Sequence, residues 1–118
     1  MQNTHGKGWT ARQVDTTFIL SIADGASLVG SMTDFILSER ITAGQITGIG
    51  AVNEVVLRFF DPHTKQYVDR EFHEQMEIAN LSGNISLVED TPILHLHATL
   101  GRSDYTALAG HVLDAKIR

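Results

Sequence analysis

A chain of 118 residues, 42% hydrophobic and 19% charged, describes one globular domain of ordinary composition. Its net charge of -5 sets 14 acidic residues against nine scattered Lys and Arg, which argues against nucleic-acid binding driven by phosphate neutralisation alone. With no cysteine there is no disulfide framework, thiolate metal site or thiol nucleophile, so any metal must take nitrogen and oxygen ligands.

Residues 1–14 are polar and glycine-containing, with Trp9 the one bulky group, and read as a partly ordered arm ahead of a single domain over 15–118. This start lacks the charged-then-apolar order of a signal peptide, and no apolar run is long enough to cross a bilayer. A cytoplasmic protein with no membrane partner is expected. Thr16 to Ala23 alternates Phe18, Leu20 and Ile22 against Thr17, Ile19 and Ser21, as a strand with one buried face does. Asp24-Gly25 turns the chain. From Ala26 to Arg40, Leu28, Val29, Met32, Phe35 and Ile36 recur at helical spacing, and Ser27 or Asp24 can cap the start.

After Ala43-Gly44 the period becomes that of strands. Gln45 to Ile49 reads as a short strand, with a bend at Gly48 and Gly50. Asn53 to Phe60 reads as another, with Val55, Leu57 and Phe59 on one face and Glu54, Val56, Arg58 and Phe60 on the other. Asp61 to Lys65 is a hairpin loop leading to a polar edge strand over Gln66 to Phe72. Met76 to Glu89 supplies two short strands broken near Gly83-Asn84, and Glu89 to Pro92 turns into Thr91 to Gly101. A loop over Arg102 to Ala109 precedes a last strand, Gly110 to Ile117, with His111, Leu113, Ala115 and Ile117 on one face. The sum is an α+β domain, with one helix on a largely antiparallel, strongly twisted sheet of about seven strands.

The strand Thr91 to Gly101 carries the chemistry. Leu94, Leu96, Ala98 and Leu100 point to a core, while Ile93, His95, His97 and Thr99 point the other way. Two imidazoles one period apart, roughly 7 Å between their Cα atoms, can converge on a single metal ion. A bare His-x-His on a strand reads equally as two polar residues in a groove or an interface. His111, ten residues after Gly101, supplies a third imidazole on a neighbouring strand. Three protein ligands and one open position describe a reactive zinc centre. Glu54 and Glu77 are the candidate general bases, each also readable as a solvated strand carboxylate. His5 in the arm, His63 in a turn and His73 between Glu71 and Glu74 carry less weight, and Asn84 reads as a turn residue. Arg12 and Arg58 read as an anion contact or as members of surface ion pairs. No phosphate-binding glycine loop and no Gly-x-Ser-x-Gly elbow is present, so the catalytic residues and any reaction stay unassigned.

Five stretches taken together resemble a known family. They are Gly48-Ile49-Gly50-Ala51-Val52; Phe59-Phe60-Asp61 with Tyr67; Met76-Glu77-Ile78 leading to Leu81-Ser82-Gly83-Asn84-Ile85-Ser86; Leu94 to Gly101; and Gly110-His111-Val112-Leu113. In this order they are similar to the plants-and-prokaryotes conserved (PPC) domain, a family labelled as predicted DNA-binding proteins with a PD1-like motif. The resemblance implies an α+β domain that assembles as a homotrimer. It also implies, for prokaryotic members, a histidine cluster holding zinc or another divalent transition metal, matched here by His95, His97 and His111. DNA, and a small-molecule or anion ligand at the metal, are the partners to be expected. The alternative is a metal-dependent small-molecule-binding protein or enzyme that binds no nucleic acid. Two departures bear on the DNA label: Glu74-Gln75 stands where plant members carry Gly-Arg, and there is no AT-hook. Family members usually run one strand beyond the position of Arg118, so the family's last strand is expected to be missing here.

Overall fold

The computed structural model describes residues 2–118. Residues 2–14, read from sequence as an arm, form a hairpin: β1 (Gln2–Gly6) and β2 (Trp9–Val14) pair antiparallel, and β3 (Thr17–Ile22) adds to β2. Trp9 is the reason. Its indole is almost wholly buried, lies edge-on to Phe35 with centroids 5.2 Å apart, and donates through Nε1 to Asp34 Oδ2 at 2.7 Å. Burying a large aromatic with its one polar atom satisfied offsets the entropy of ordering the strand that carries it.

Helix α1 (Leu28–Ser38) begins at Ser27, whose hydroxyl accepts from the Gly30 amide. The same hydroxyl donates to Asp114, and the Asp114 carboxylate in turn accepts from the Val29 amide at 3.1 Å. A carboxylate at a helix N-terminus satisfies free N–H groups and faces the positive end of the helix dipole. Leu28, Met32, Phe35 and Ile36 face inward at the expected spacing, joined by Ser31.

The second sheet holds five strands: β4 (Gly44–Asp61), β5 (Gln66–Phe72), β6 (Met76–Val88), β7 (Thr91–Gly101) and β8 (Ala107–Ile117). All pairings are antiparallel, and β4–β6, β6–β7, β7–β8 and β8–β4 close this sheet on itself. The total is eight strands in two sheets rather than one sheet of about seven. Neither β4 nor β6 ends where a break was expected, but the bend expected at Gly48 and Gly50 is present as a register shift against β6 that passes over Ile49. β4 runs unbroken for 18 residues and β6 for 13, because each finds ladder partners along its whole length.

Further irregularity enters as single-residue bulges. Asn53 in β4, Ala79 in β6 and Leu113 in β8 each fall between successive cross-strand pairs without a partner. A bulge flips the alternation. Val52 and Val55, Ile78 and Leu81, and Val112 and Ala115, each three residues apart, therefore all enter the core, where strict alternation would send one of each pair out. This corrects the expected face of β8: Ala115 is buried, whereas His111, on the opposite side of the chain from buried Val112, looks outward. Met76, Leu96, Leu100 and Val52 fill the inside of the ring, and Leu28 and Met32 of α1 pack onto it. No helix among the described residues is long and apolar enough to cross a membrane.

Candidate metal centre

The outer face of the closed sheet presents three imidazoles together. His97 of β7 and His111 of β8 are direct cross-strand partners, so the ladder itself sets them side by side. His95, two residues before His97, lies one pleat further along the same face. Ring centroids are 5.0 Å apart for His95 and His97, 4.6 Å for His95 and His111, and 5.4 Å for His97 and His111. One nitrogen from each ring lies within 4.8 Å of the others.

The donor set suits a small divalent ion. Zinc bound tetrahedrally at about 2.0–2.1 Å from each imidazole puts its ligand nitrogens ~3.3 Å apart. Nε2 of His95 and Nε2 of His97 are already 3.1 Å apart. Without an ion, two neutral rings hold that distance only if one Nε2 donates to the other. Burial holds the His111 imidazole below the ordinary histidine range, with His95, His97 and the Arg58 guanidinium acting in the same direction and Asp69 opposing them. The neutral form is the one that ligates a metal.

One charged pair stands beside the cluster. Arg58 of β4 is the cross-strand partner of His111 on one side and of Asp69 on the other. Its Nε and Nη2 donate to the two Asp69 oxygens at 2.8 and 2.9 Å, and its guanidinium carbon lies 4.6 Å from the centre of the Tyr67 ring. Asp69, Arg58, His111, His97 and Ser82 thus make one row across four neighbouring strands and β5. Sequence reasoning considered Arg58 alone. The signal was available, since the hairpin that pairs Asp61 with Gln66 also pairs Arg58 with Asp69.

The other candidates go elsewhere. Glu77 pairs with Gly101, four residues along β7 from His97 and so ~13 Å away. Glu54 pairs with Lys116 and lies 3.7 Å from His73 Nδ1, while the His73 Nε2 sits 3.0 Å from Glu71. Arg12 donates to Asn3, and the backbone amide of His63 donates to Asp61 within the hairpin loop. His5 lies on β1 opposite Thr10. Asn84 is not in a turn but in mid-strand opposite His95. A cleft of about 720 Å³ between β3, α1 and the first half of β4, lined by Phe18, Leu20, Met32, Ile46 and Ile85, contains none of the three histidines.

The model of the Plants and Prokaryotes Conserved (PCC) domain matches residues 10–117. Among solved structures, a "putative DNA-binding protein" of Bacteroides thetaiotaomicron is 46% identical over 94% of this chain and 78% of its own, with a TM-score of 0.92. A metal-containing protein of Archaeoglobus fulgidus is 34% identical over 81% of this chain and 68% of its own, with a TM-score of 0.76. A plant- and prokaryote-conserved protein of Pyrococcus horikoshii is 25% identical over 89% and 78%, with a TM-score of 0.77. No curated protein matches. With the family model matching nearly the whole chain, and with a fold shared with these structures, the protein belongs to the plants-and-prokaryotes conserved domain family.

Proposed function

We propose that this chain is a metal-binding member of its family, in which His95, His97 and His111 hold one divalent transition-metal ion, zinc by preference. The observation that carries the reading is the gathering of three imidazole nitrogens within 4.8 Å on one outward face. The metal-containing relative from Archaeoglobus fulgidus supports it. Each ligand has a definite source of order. Ladder hydrogen bonds hold His97 against His111, and the pleat of β7 sets His95 beside them. Burial lowers the His111 pKa, which favours the neutral form that can bind. Three neutral ligands leave the ion its full charge, and such an ion polarises an oxygen ligand or acidifies a water in its open position.

The remaining position suits a small molecule or anion. Neither Glu54 nor Glu77 is placed to take a proton from a group bound there, so the reading is of binding, with no reaction attached. Elemental analysis of protein purified without a histidine tag tests it. The expected result is close to one metal per chain in the wild type and background metal in His97→Ala. A metal-free wild type, or a content unchanged by the substitution, overturns it.

We also infer that the protein assembles as a homotrimer, as the family resemblance implies. Supporting this, the outer part of the β4–β5 hairpin exposes the pairs Phe59–Val68 and Phe60–Tyr67 on its two faces. DNA binding is a second reading, favoured by the description of the Bacteroides relative. It calls for an assembled basic surface, because the single chain is acidic. A gel-shift titration at low salt that shows no retarded DNA removes it.

A further inference from the structure

We propose that Gly83 is a positioning residue of the histidine cluster: by carrying no side chain it lets β6 close on β7 at His95, and so sets the backbone from which that imidazole is presented. The inference rests on the metal-binding reading for its consequence but on the fold for its geometry. Gly83 is paired with Leu96 and sits between the pairs Ser82–His97 and Asn84–His95, so it is the one residue of β6 flanked on both sides by partners of candidate ligands.

A Cβ built at position 83 overlaps the carbonyl oxygen of His95 and falls 2.8 Å from Leu96 Cδ2. Neither neighbour can yield independently. The carbonyl is backbone, so moving it moves His95, and Leu96 is locked in the core at 1% exposure. Other glycines of the sheet do not share this property. At Gly110, which precedes His111, a Cβ meets Leu57 Cβ at an ordinary 3.5 Å, and at Gly48 nothing lies nearer than 3.7 Å. The interior Gly of β6 is therefore not a weak point where the strand breaks but a place of close backbone approach. The approach matters to the cluster because His95 and His97 already hold their Nε2 atoms 3.1 Å apart. A displacement of the His95 backbone by an ångström is a large fraction of that distance.

The experiment compares wild type, Gly83→Ala and Gly110→Ala by titration with Co(II), read from its visible absorption, and by the imidazole proton resonances of the metal-free proteins. The expected result for Gly83→Ala is a roughly 10- to 100-fold weaker Co(II) affinity, the range seen when the residues supporting metal ligands are altered. Its Co(II) spectrum should change, and its metal-free His95 and His97 resonances should be displaced. Gly110→Ala should match wild type in all three. A folded Gly83→Ala with unaltered affinity and unaltered His95 resonances overturns the proposal. If wild type binds no Co(II) while Gly83→Ala still displaces the His95 resonances, the metal reading fails and the positioning role stands. Should Gly83→Ala not fold, the wild type decides: cross-relaxation between the Gly83 α-protons and the Leu96 δ-methyls is expected, and its absence overturns the close approach.

Discussion

At the scale of single residues, the polar surface is organised by a few pairs whose partners come from different strands. Arg58 holds the Asp69 carboxyl below the usual carboxylate range through the hydrogen bonds described above. Arg102 does the same for Glu74, donating to its two oxygens at 3.1 and 2.8 Å. The Thr106 hydroxyl and amide lower Asp104. A carboxylate whose folded pKa is depressed contributes stability that is present above its unfolded value and is lost as pH falls through the folded one. The metal-free protein is therefore expected to lose thermal stability from about pH 5 downward, with the unfolded carboxylates titrating near 4. Glu74→Gln should lose less over the same interval, and 0.5 M salt should shrink the difference because the pair is exposed. Melting curves across that range check this, and identical acid limbs for the two proteins would show that the Arg102–Glu74 pair adds nothing.

Among the elements, the β6–β7 hairpin that leads into the histidine strand is joined by an unfavourable turn. Val88 pairs with Thr91, leaving Glu89 and Asp90 as a two-residue connection with φ of 51° and 66°. Two successive positive φ values are the signature of a type I′ turn, which suits the twist of the strands and favours Asn-Gly. Glu and Asp here pay the left-handed penalty without glycine's freedom. Glu89→Asn combined with Asp90→Gly is expected to raise the free energy of unfolding by roughly 1 kcal/mol. Urea denaturation measures it, and an unchanged midpoint would show the penalty already relieved by local hydrogen bonding. The sequence located this turn and both strand ends after it. It misjudged Gly83-Asn84 because a glycine that breaks a strand and a glycine that lets two strands approach look alike until the partner strand is known.

For the whole molecule, closure of the second sheet has two consequences. The ring hides its ladder edges and fills its interior with Met76, Leu96 and Leu100, so the histidine cluster stands on the outer face. β5 and the outer part of β4 extend past that ring, and their aromatic side chains remain exposed, with Phe59 at 68% and Tyr67 at 61%. Apolar surface of this kind on two faces of one hairpin is what a subunit interface covers. Light scattering is expected to return the mass of three chains, and the mass of one chain at micromolar concentration would overturn the homotrimer.

What the sequence by itself determined is what depends on one segment at a time. The two-residue period of Thr91 to Gly101 was enough to put Leu96, Ala98 and Leu100 inside and His95 and His97 outside. The helical spacing of Leu28, Met32, Phe35 and Ile36, and the hairpin between Asp61 and Gln66, were legible for the same reason. Tertiary structure decided the rest, because register and phase are properties of pairs of strands. The meeting of His111 with His97 follows from a hairpin whose strand resumes at Ala107, three residues before the alternation made it visible. The bulge at Leu113 then lets the same strand turn His111 out and Ala115 in. Residues 2–14, polar to the eye, are ordered by the burial of one indole against a helix more than twenty residues away, a contact that local composition does not record.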